Sequence, residues 1–377
     1  MAYLFLVLGL AALTYQILAL FCLSRFFRRL PLPRAASPGP GVTIFKPLKG
    51  LEAHTRECLT SFLTQDYHPY QVLFGVADPR DPVLPLLEEL RQAYSHLDIH
   101  LLICPEKLGL NPKISTLRQL EPKARHDLVI VADADVKVGP DFLAVMVAAL
   151  KEPEVGLVSC PYRAGRVQTL GAAFEALTIA ADFIPSVAVA YYVEGVRFAL
   201  GAAMATSRRV LSRIGGLEVL ADFIADDYQL GHRVAQTGLK VQLLPYVVQT
   251  LNPGMTFKQY LAHQLRWART YRVCRPKGYL GYGLTHALAY GTAFGLAAGL
   301  APAVLGLLAA TLLLRWGLAY LSVRLCLKGE LPGAAFLLVP LKDLLAFGIW
   351  GLSFLGDRVT WQDSRFRVNP DGTLTPV

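Results

Sequence analysis

Two aspartates, Asp133 and Asp135, follow the apolar run Leu128-Val129-Ile130-Val131-Ala132. Short and mostly β-branched, that run reads as a buried strand. Alternate residues on an extended backbone point the same way, so the i, i+2 spacing lets both carboxylates converge at the strand's end. Two converging carboxylates form a hard-oxygen site for Mg²⁺ or Mn²⁺, ions that bridge diphosphates. Ligands of open α/β sheets sit outside the carboxyl ends of the strands. The plainer reading is a turn with two solvated acids. A second acidic pair, Asp226-Asp227, opens a helical run at Tyr228, where first-turn acids also suit the helix dipole. A single acid, Asp78, stops the strand-like run 71–77. Farther on, a basic helix over 257–272 carries Gln259, His263, Arg266, Trp267, Arg269 and Arg272. Arg266 and Trp267 are neighbours, pointing about 100° apart, and should contact different things. An interfacial basic helix is the plain reading.

These residues need a sheet to carry them, and the surrounding pattern supplies one. Runs at 42–45, 71–77, 99–103, 128–132, 155–159, 201–206 and 240–244 read as strands. Helices are expected over 52–63, 85–94, 113–120, 142–150, 209–214 and 226–236. Strands alternating with helices imply a mostly parallel sheet wrapped by helices. The stretch 214–225, ahead of Asp226, has a mobile look.

The rest of the chain is too apolar for an ordinary soluble domain. Charged residues make up only 17% of the 377 residues, and the mean hydropathy is +0.40. Residues 3–23 carry no charge, enough to cross about 30 Å of hydrocarbon. Arg25, Arg28, Arg29 and Arg34 follow, which makes this an uncleaved anchor with that flank in the cytoplasm. Residues 284–327 read as two spanning helices broken near Pro302. Residues 331–355 are a third segment interrupted by Pro340, Lys342 and Asp343, expected to be re-entrant or tilted with Lys342 and Asp343 paired inside protein. The apolar stretch 169–192 is a lid, an interfacial helix or a core helix. The net charge of +9 suits an anionic leaflet; no recognition face gathers it for nucleic acid. The six cysteines show no CxxC pair and read as reduced, mostly buried thiols.

The order of Asp78, Asp133-Ala134-Asp135, Asp226-Asp227-Tyr228 and His263-Gln264-Leu265-Arg266-Trp267 resembles the acid, DxD, acidic-pair and RW motifs of membrane-bound glycosyltransferases with a GT-A fold. Phe45-Lys46-Pro47-Leu48-Lys49-Gly50, Gly109-Leu110-Asn111-Pro112-Lys113, Gly156-Leu157-Val158, Gly201-Ala202-Ala203-Met204 and Trp361-Gln362-Asp363-Ser364-Arg365-Phe366-Arg367 narrow the resemblance. The chain is similar to the ceramide glucosyltransferase family and its bacterial hopanoid-biosynthesis relatives. Two departures stand on the acceptor side. His263 replaces the usual Gln or Arg, and Ile184 precedes Pro185 where animal ceramide enzymes carry a histidine.

The resemblance implies inverting transfer of one sugar from a UDP-sugar to the hydroxyl of a membrane lipid. Glucose and ceramide are the family's best-known pair; N-acetylglucosamine and a hopanoid polyol are the alternative. It also implies that Pro47, Asp78, Lys113 and Asp133 bind the nucleotide sugar and that Asp135, with Asp133, holds Mn²⁺ or Mg²⁺. Asp227 is then the general base, with Asp226 raising its pKa, and His263, Arg266 and Trp267 close over diphosphate and acceptor. The expected organisation is an anchor (1–24), a basic Pro-rich linker (25–41), a cytoplasmic GT-A domain (42–255), an interfacial basic region (256–283), membrane segments (284–356) and a cytoplasmic tail (357–377). The composition points to a bacterial cytoplasmic membrane. From a different class, a transporter or scaffold with a degenerate sheet domain competes, and a polymer synthase would need more spans.

Overall fold

A computed structural model describes residues 1–33, 38–299, 301–361 and 364–377. Arg34 of the basic flank and Gln362-Asp363 of the tail motif lie outside the described residues. The chain divides into two compact units: residues 31–162 with 196–251, and residues 1–30 with 163–195 and 252–377.

In chain order the strands through residue 251 are β1 (Val42–Leu48), β2 (Tyr70–Val76), β3 (Asp98–Ile103), β4 (Leu128–Ala132), β5 (Val136–Lys137), β6 (Val155–Ser159), β7 (Tyr162–Gly165), β8 (Ala203–Ser207), β9 (Lys240–Leu243) and β10 (Val248–Leu251). The sheet unit is built on seven of them in the order β3-β2-β1-β4-β8-β6-β9. Pairs β3–β2–β1–β4 and β6–β9 are parallel; β8 runs antiparallel to both its neighbours. This is the α/β, mostly parallel sheet wrapped by helices that the pattern implies, of the GT-A type that the resemblance implies. β1, β2 and β4 are almost continuously buried, as expected of strands covered on both faces.

Two local features fix the strand ends that matter. β1 outruns β4: their pairing stops at Phe45–Val131, while β1 continues beside β2 to Leu48–Val76. Pro47, which cannot donate to a ladder, therefore sits where only β2 flanks it. Gly75 in β2 lies under the Pro112–Leu120 helix, where a Cβ would fall 2.6 Å from Thr116. That close approach positions the helix carrying Lys113 against the sheet.

The stretch expected to be mobile, 214–225, is packed. Leu217, Leu220, Ala221 and Ile224 are buried, and its backbone binds the 109–111 segment (below). Apolar residues there, spaced through a short 3-10 turn at Leu217–Leu220, override the loop-like glycines Gly215 and Gly216.

Among the described residues the helical unit holds four segments long and apolar enough to cross a membrane: Ala2–Arg29, Leu170–Val193, Pro302–Cys326 and Gly333–Leu355. The stretch over 169–192 is thus of spanning length, with one π-turn at Ile179–Phe183. The helix ahead of Pro302 differs from expectation. Ala287–Ala298 is only 12 residues, about 18 Å, and is too short to span alone. The third segment is long enough to cross, and Lys342 and Asp343 inside it do pair, at 2.7 Å. The tail forms an antiparallel meander of β11 (Arg358–Trp361), β12 (Ser364–Val368) and β13 (Leu374–Pro376). All six cysteines are free thiols, and only Cys274 is more than marginally exposed.

Candidate active site

The acidic residues meet at the carboxyl end of the sheet. β4 stops at Ala132, and the chain turns at once: Val136 N–H donates to the Asp133 carbonyl at 3.3 Å. Short β5 then leaves antiparallel to β10, and Leu251 N–H donates to the Asp135 carbonyl at 2.9 Å. Asp133 and Asp135 therefore occupy a tight turn, not an extended strand. The strand argument gives the right end of the sheet with the wrong backbone. The i→i+3 bond of the turn, with β10 fixing its far side, sets their position.

Lys113 joins the two acidic motifs. Its Nζ lies 2.7 Å from Asp133 Oδ1 and 3.3 Å from Asp226 Oδ2. Asn111 caps the Pro112–Leu120 helix, its Oδ1 accepting Ile114 N–H at 3.1 Å. Its Nδ2 donates to the Phe223 carbonyl at 2.8 Å and to Asp226 Oδ1 at 3.4 Å. Asn111 N–H donates to the Ala221 carbonyl, and Leu110 N–H to Asp222. Gly109 has φ +147, and a Cβ there would lie 2.5 Å from Ala221. Glycine and asparagine thus lock Lys113 to the loop that starts the Asp226–Gln236 helix. Burial works against the Lys113 ammonium, but Asp133 and Asp226 outweigh it and hold its pKa above the ordinary lysine range.

The two members of the acidic pair have different environments. Asp226 is buried and held by Lys113 and Asn111. Asp227 is half-buried and makes no ion pair among the described residues; its Oδ1 accepts Tyr228 N–H at 2.7 Å. Burial first, and Asp226 second, push the Asp227 carboxyl up to about 6. Gly201 presses on it: a Cβ there would lie 2.7 Å from Asp227 Oδ2 and 3.2 Å from its Cβ. Gly201→Ala should therefore displace the Asp227 carboxylate. An ångström-scale shift of a reacting group costs about 10²-fold in rate. A steady-state kcat for Gly201→Ala equal to wild type would show that Asp227's position is unimportant.

Lys46 is a part of this site that the sequence reading passed over. It is fully buried in β1, with Nζ 4.3 Å from the Phe62 ring centroid. It donates to the Asp133 carbonyl. Burial lowers its pKa to about 8, against the pull of Asp133 and Asp135. The available signal was a lysine inside an otherwise apolar strand, a placement rarely tolerated without a partner. Asp81 is likewise new. It is buried, and its carboxylate accepts Gly50 N–H at 2.8 Å and Val83 N–H at 2.9 Å, fixing the turn after Pro47. Gly50 has φ +77, a conformation few other residues adopt. Asp78 is exposed beside this turn and engages Arg80, whose N–H donates to it at 2.8 Å. Pro47 and Asp78 share the carboxyl ends of adjacent parallel strands.

A divalent cation fits the donors present. Asp133, Asp135, Asp226 and Asp227 face Lys46 and Lys113, leaving two negative charges in excess. Among the described residues Asp135 has no ion pair, and burial, then Asp133, push its carboxyl up to about 6. Repulsion between two hard-oxygen groups is what a dication at Asp135 and Asp133 would relieve. No protein trio of metal-binding side chains occurs among the described residues, so further ligands would come from phosphate oxygens or water.

His263, Arg266 and Trp267 lie in the helical unit, on Phe257–Cys274, which opens with a capping box of Thr256 and Gln259. Gln264 Nε2 donates to the buried Glu175 carboxylate at 2.8 Å. His263 Nδ1 lies 3.1 Å from the same carboxylate, without hydrogen-bond alignment. Trp267 packs against His263 and Phe183, with ring centroids 4.6 and 5.6 Å apart.

Comparison with known proteins agrees with the sheet. Ceramide glucosyltransferase 1 of Caenorhabditis elegans is 24% identical over 232 residues, 61% of this chain and 49% of the relative. Ceramide glucosyltransferase 3 of the same organism is 26% identical over 236 residues, 61% of this chain and 50% of the relative. The chain thus spans about half the length of these curated relatives. The mannosyltransferase PcManGT from Pyrobaculum calidifontis, solved with GDP-Man and Mn²⁺, superposes with a TM-score of 0.61 at 19% identity. That match covers 93% of this chain and 98% of PcManGT, and it establishes the shared fold. The model of glycosyl transferase family 21 matches residues 4–374, and the chain belongs to that family.

Proposed function

We propose that this chain transfers a single sugar from a UDP-sugar to the hydroxyl of a membrane lipid, with inversion, and that glucose and ceramide are its pair. The observation that carries the reading is the division of labour in the acidic pair: Asp226 is tied to Lys113 and Asn111, while Asp227 makes no ion pair among the described residues and has its pKa pushed up to about 6. The names of the curated relatives support ceramide as acceptor, and the four apolar helices fit a lipid substrate.

In the proposed reaction the acceptor oxygen attacks the anomeric carbon as the bond to the diphosphate breaks. The hydroxyl proton passes to Asp227, which needs to be a carboxylate within hydrogen-bond reach. Lys113 keeps Asp133 and Asp226 in place. Lys46 fixes the Asp133 backbone. Pro47 and Asp78, at neighbouring strand ends, are assigned to the nucleoside. A divalent ion bound by Asp135 and Asp133 would neutralise the leaving diphosphate. His263, Arg266 and Trp267 are assigned to closing over the diphosphate and acceptor. The arginines after the first span favour a cytoplasmic sheet unit, where UDP-sugars are made.

A base with a raised pKa fixes the sign of the pH dependence. Below about 6 Asp227 holds a proton and cannot accept another. The logarithm of kcat/KM should fall with a slope near one as pH drops through that value. A profile flat down to pH about 4.5, below the working range of such a base, would remove Asp227 from the role.

The function itself is tested by UDP release from detergent-purified protein with Mn²⁺. UDP-glucose and UDP-N-acetylglucosamine are crossed against ceramide and a hopanoid polyol. Release that requires UDP-glucose and ceramide together is the expected result. Release only with the hopanoid polyol would keep the chemistry and replace the acceptor. Absence of release with every pair, in folded protein that binds no UDP, would overturn the transferase reading.

A further inference from the structure

Within the helical unit, a small cavity of about 20 Å³ lies among the apolar helices, with walls that include Tyr15, Gln16, Tyr282, His286, Arg315 and Asp343. One part of the wall is a closed polar network. Arg315 is 3% exposed and donates through Nε and Nη2 to Asp343 at 2.7 Å, through Nη2 to Asp182 at 2.6 Å, and through Nη1 to Gln16 Oε1 at 2.9 Å and the Ala181 carbonyl at 3.0 Å. Lys342 pairs with the same two aspartates. Two cations therefore balance two anions, and all five guanidinium N–H groups are used.

The other part of the wall is not satisfied. His286 is 7% exposed, and its Nε2 is buried with no hydrogen-bond partner among the described residues. Tyr15 and Tyr282, both half-buried, line the same cavity. A purely structural clasp explains the arginine and its aspartates. It does not explain a buried imidazole nitrogen left open beside a cavity in an apolar setting, where an unmade bond is costly.

We infer that this chamber binds a hydroxyl of an uncharged lipid headgroup. The volume admits about one water-sized group. A hydroxyl can donate and accept, and so can meet an imidazole nitrogen and two phenols at once. An anionic headgroup is disfavoured, because Arg315 has no N–H left to offer and Asp182 and Asp343 would repel it. Ionisable groups among spanning helices commonly mark a substrate path. The inference rests on the reading of a lipid acceptor, and it assigns that acceptor a docking point on the helical unit.

The test reads lipid binding rather than sugar transfer, so it can fail or succeed independently of the proposed function. Full-length protein in detergent is cross-linked with a photoreactive short-chain ceramide, and labelled peptides are mapped by mass spectrometry. Wild type should be labelled around residue 15 or around 282–287, with labelling competed by plain ceramide and not by phosphatidylglycerol. His286→Phe and Tyr282→Phe should each lower this labelling about five- to tenfold, the loss of one buried hydrogen bond, with UDP binding unchanged. If His286→Phe also loses UDP binding, Tyr282→Phe, which removes one oxygen, decides. Labelling that is equal in variant and wild type, that is competed equally by phosphatidylglycerol, or that is absent from the chamber because it holds only water, would overturn the inference.

Discussion

Asp227→Asn should lower the rate of sugar transfer by about 10²–10⁴-fold, the usual contribution of a positioned general base. The substitution keeps the size and planarity of the side chain, and an amide oxygen can still accept the Tyr228 N–H now bonded to Oδ1. Only the capacity to take a proton near neutral pH is removed. UDP binding should stay close to wild type, because Lys113 is anchored by Asp133 and Asp226 rather than by Asp227. The matching change at the neighbouring position should behave differently. Asp226→Asn weakens one of the two ion pairs that hold Lys113 and removes the like charge that helps to raise the Asp227 pKa. Its pH profile should shift to lower pH, whereas that of Asp227→Asn should lose its acidic limb. Single-turnover transfer and UDP titration separate the cases. Transfer by Asp227→Asn within about threefold of wild type, far less than such a base contributes, would exclude it as the base.

The second large effect concerns stability. Arg315→Met should destabilise the helical unit by about 3–5 kcal/mol, the usual result of breaking a buried ion pair from one side. Five hydrogen bonds vanish, and Asp182 and Asp343 are left sharing Lys342 alone. Against a total stability of about 5–15 kcal/mol for an ordinary domain, that is a large fraction. Arg315→Lys keeps the charge but not the planar fork that meets Asp343 through two nitrogens, so it should fall between. Thermal aggregation in detergent, followed by size exclusion, reads the order wild type, Arg315→Lys, Arg315→Met. An Arg315→Met protein as heat-resistant as wild type would show that the network is dispensable.

Much of the sheet was legible because its strands are short, apolar and bounded by strong stops. The run at 155–159 and the helices at 142–150 and 226–236 can be read from the sequence to the residue. Position along the chain also placed Asp133 and Asp135 at the carboxyl end of the sheet. The sequence offered a turn there only as the plainer of two readings, since the β4–β5 reversal is fixed by β10, more than a hundred residues later. Lys46 escaped notice for a related reason. Its partners, Phe62 and the Asp133 carbonyl, come from separate elements, and local pattern shows only a charge in a strand. Among the spanning helices, hydropathy finds the segments but not their shared polar centre. Gln16, Asp182, Arg315 and Asp343 come from four distant stretches, and only Lys342 and Asp343 are close enough in sequence to be read as a pair. Likewise, hydropathy could not tell the 12-residue Ala287–Ala298 helix from a full span, because chain stops at 283–286 and 299 are set by backbone geometry, not by polarity.

The proposed reaction is a single displacement at the anomeric carbon by a lipid hydroxyl, with Asp227 as the base, and the anomeric configuration of the product reports on it. Purified protein is given UDP-α-glucose, ceramide and Mn²⁺, and the glycolipid is examined by proton NMR for the coupling of its anomeric hydrogen. One displacement predicts only the β-linked lipid. An α-linked product, or free glucose with no lipid-linked sugar, would contradict it.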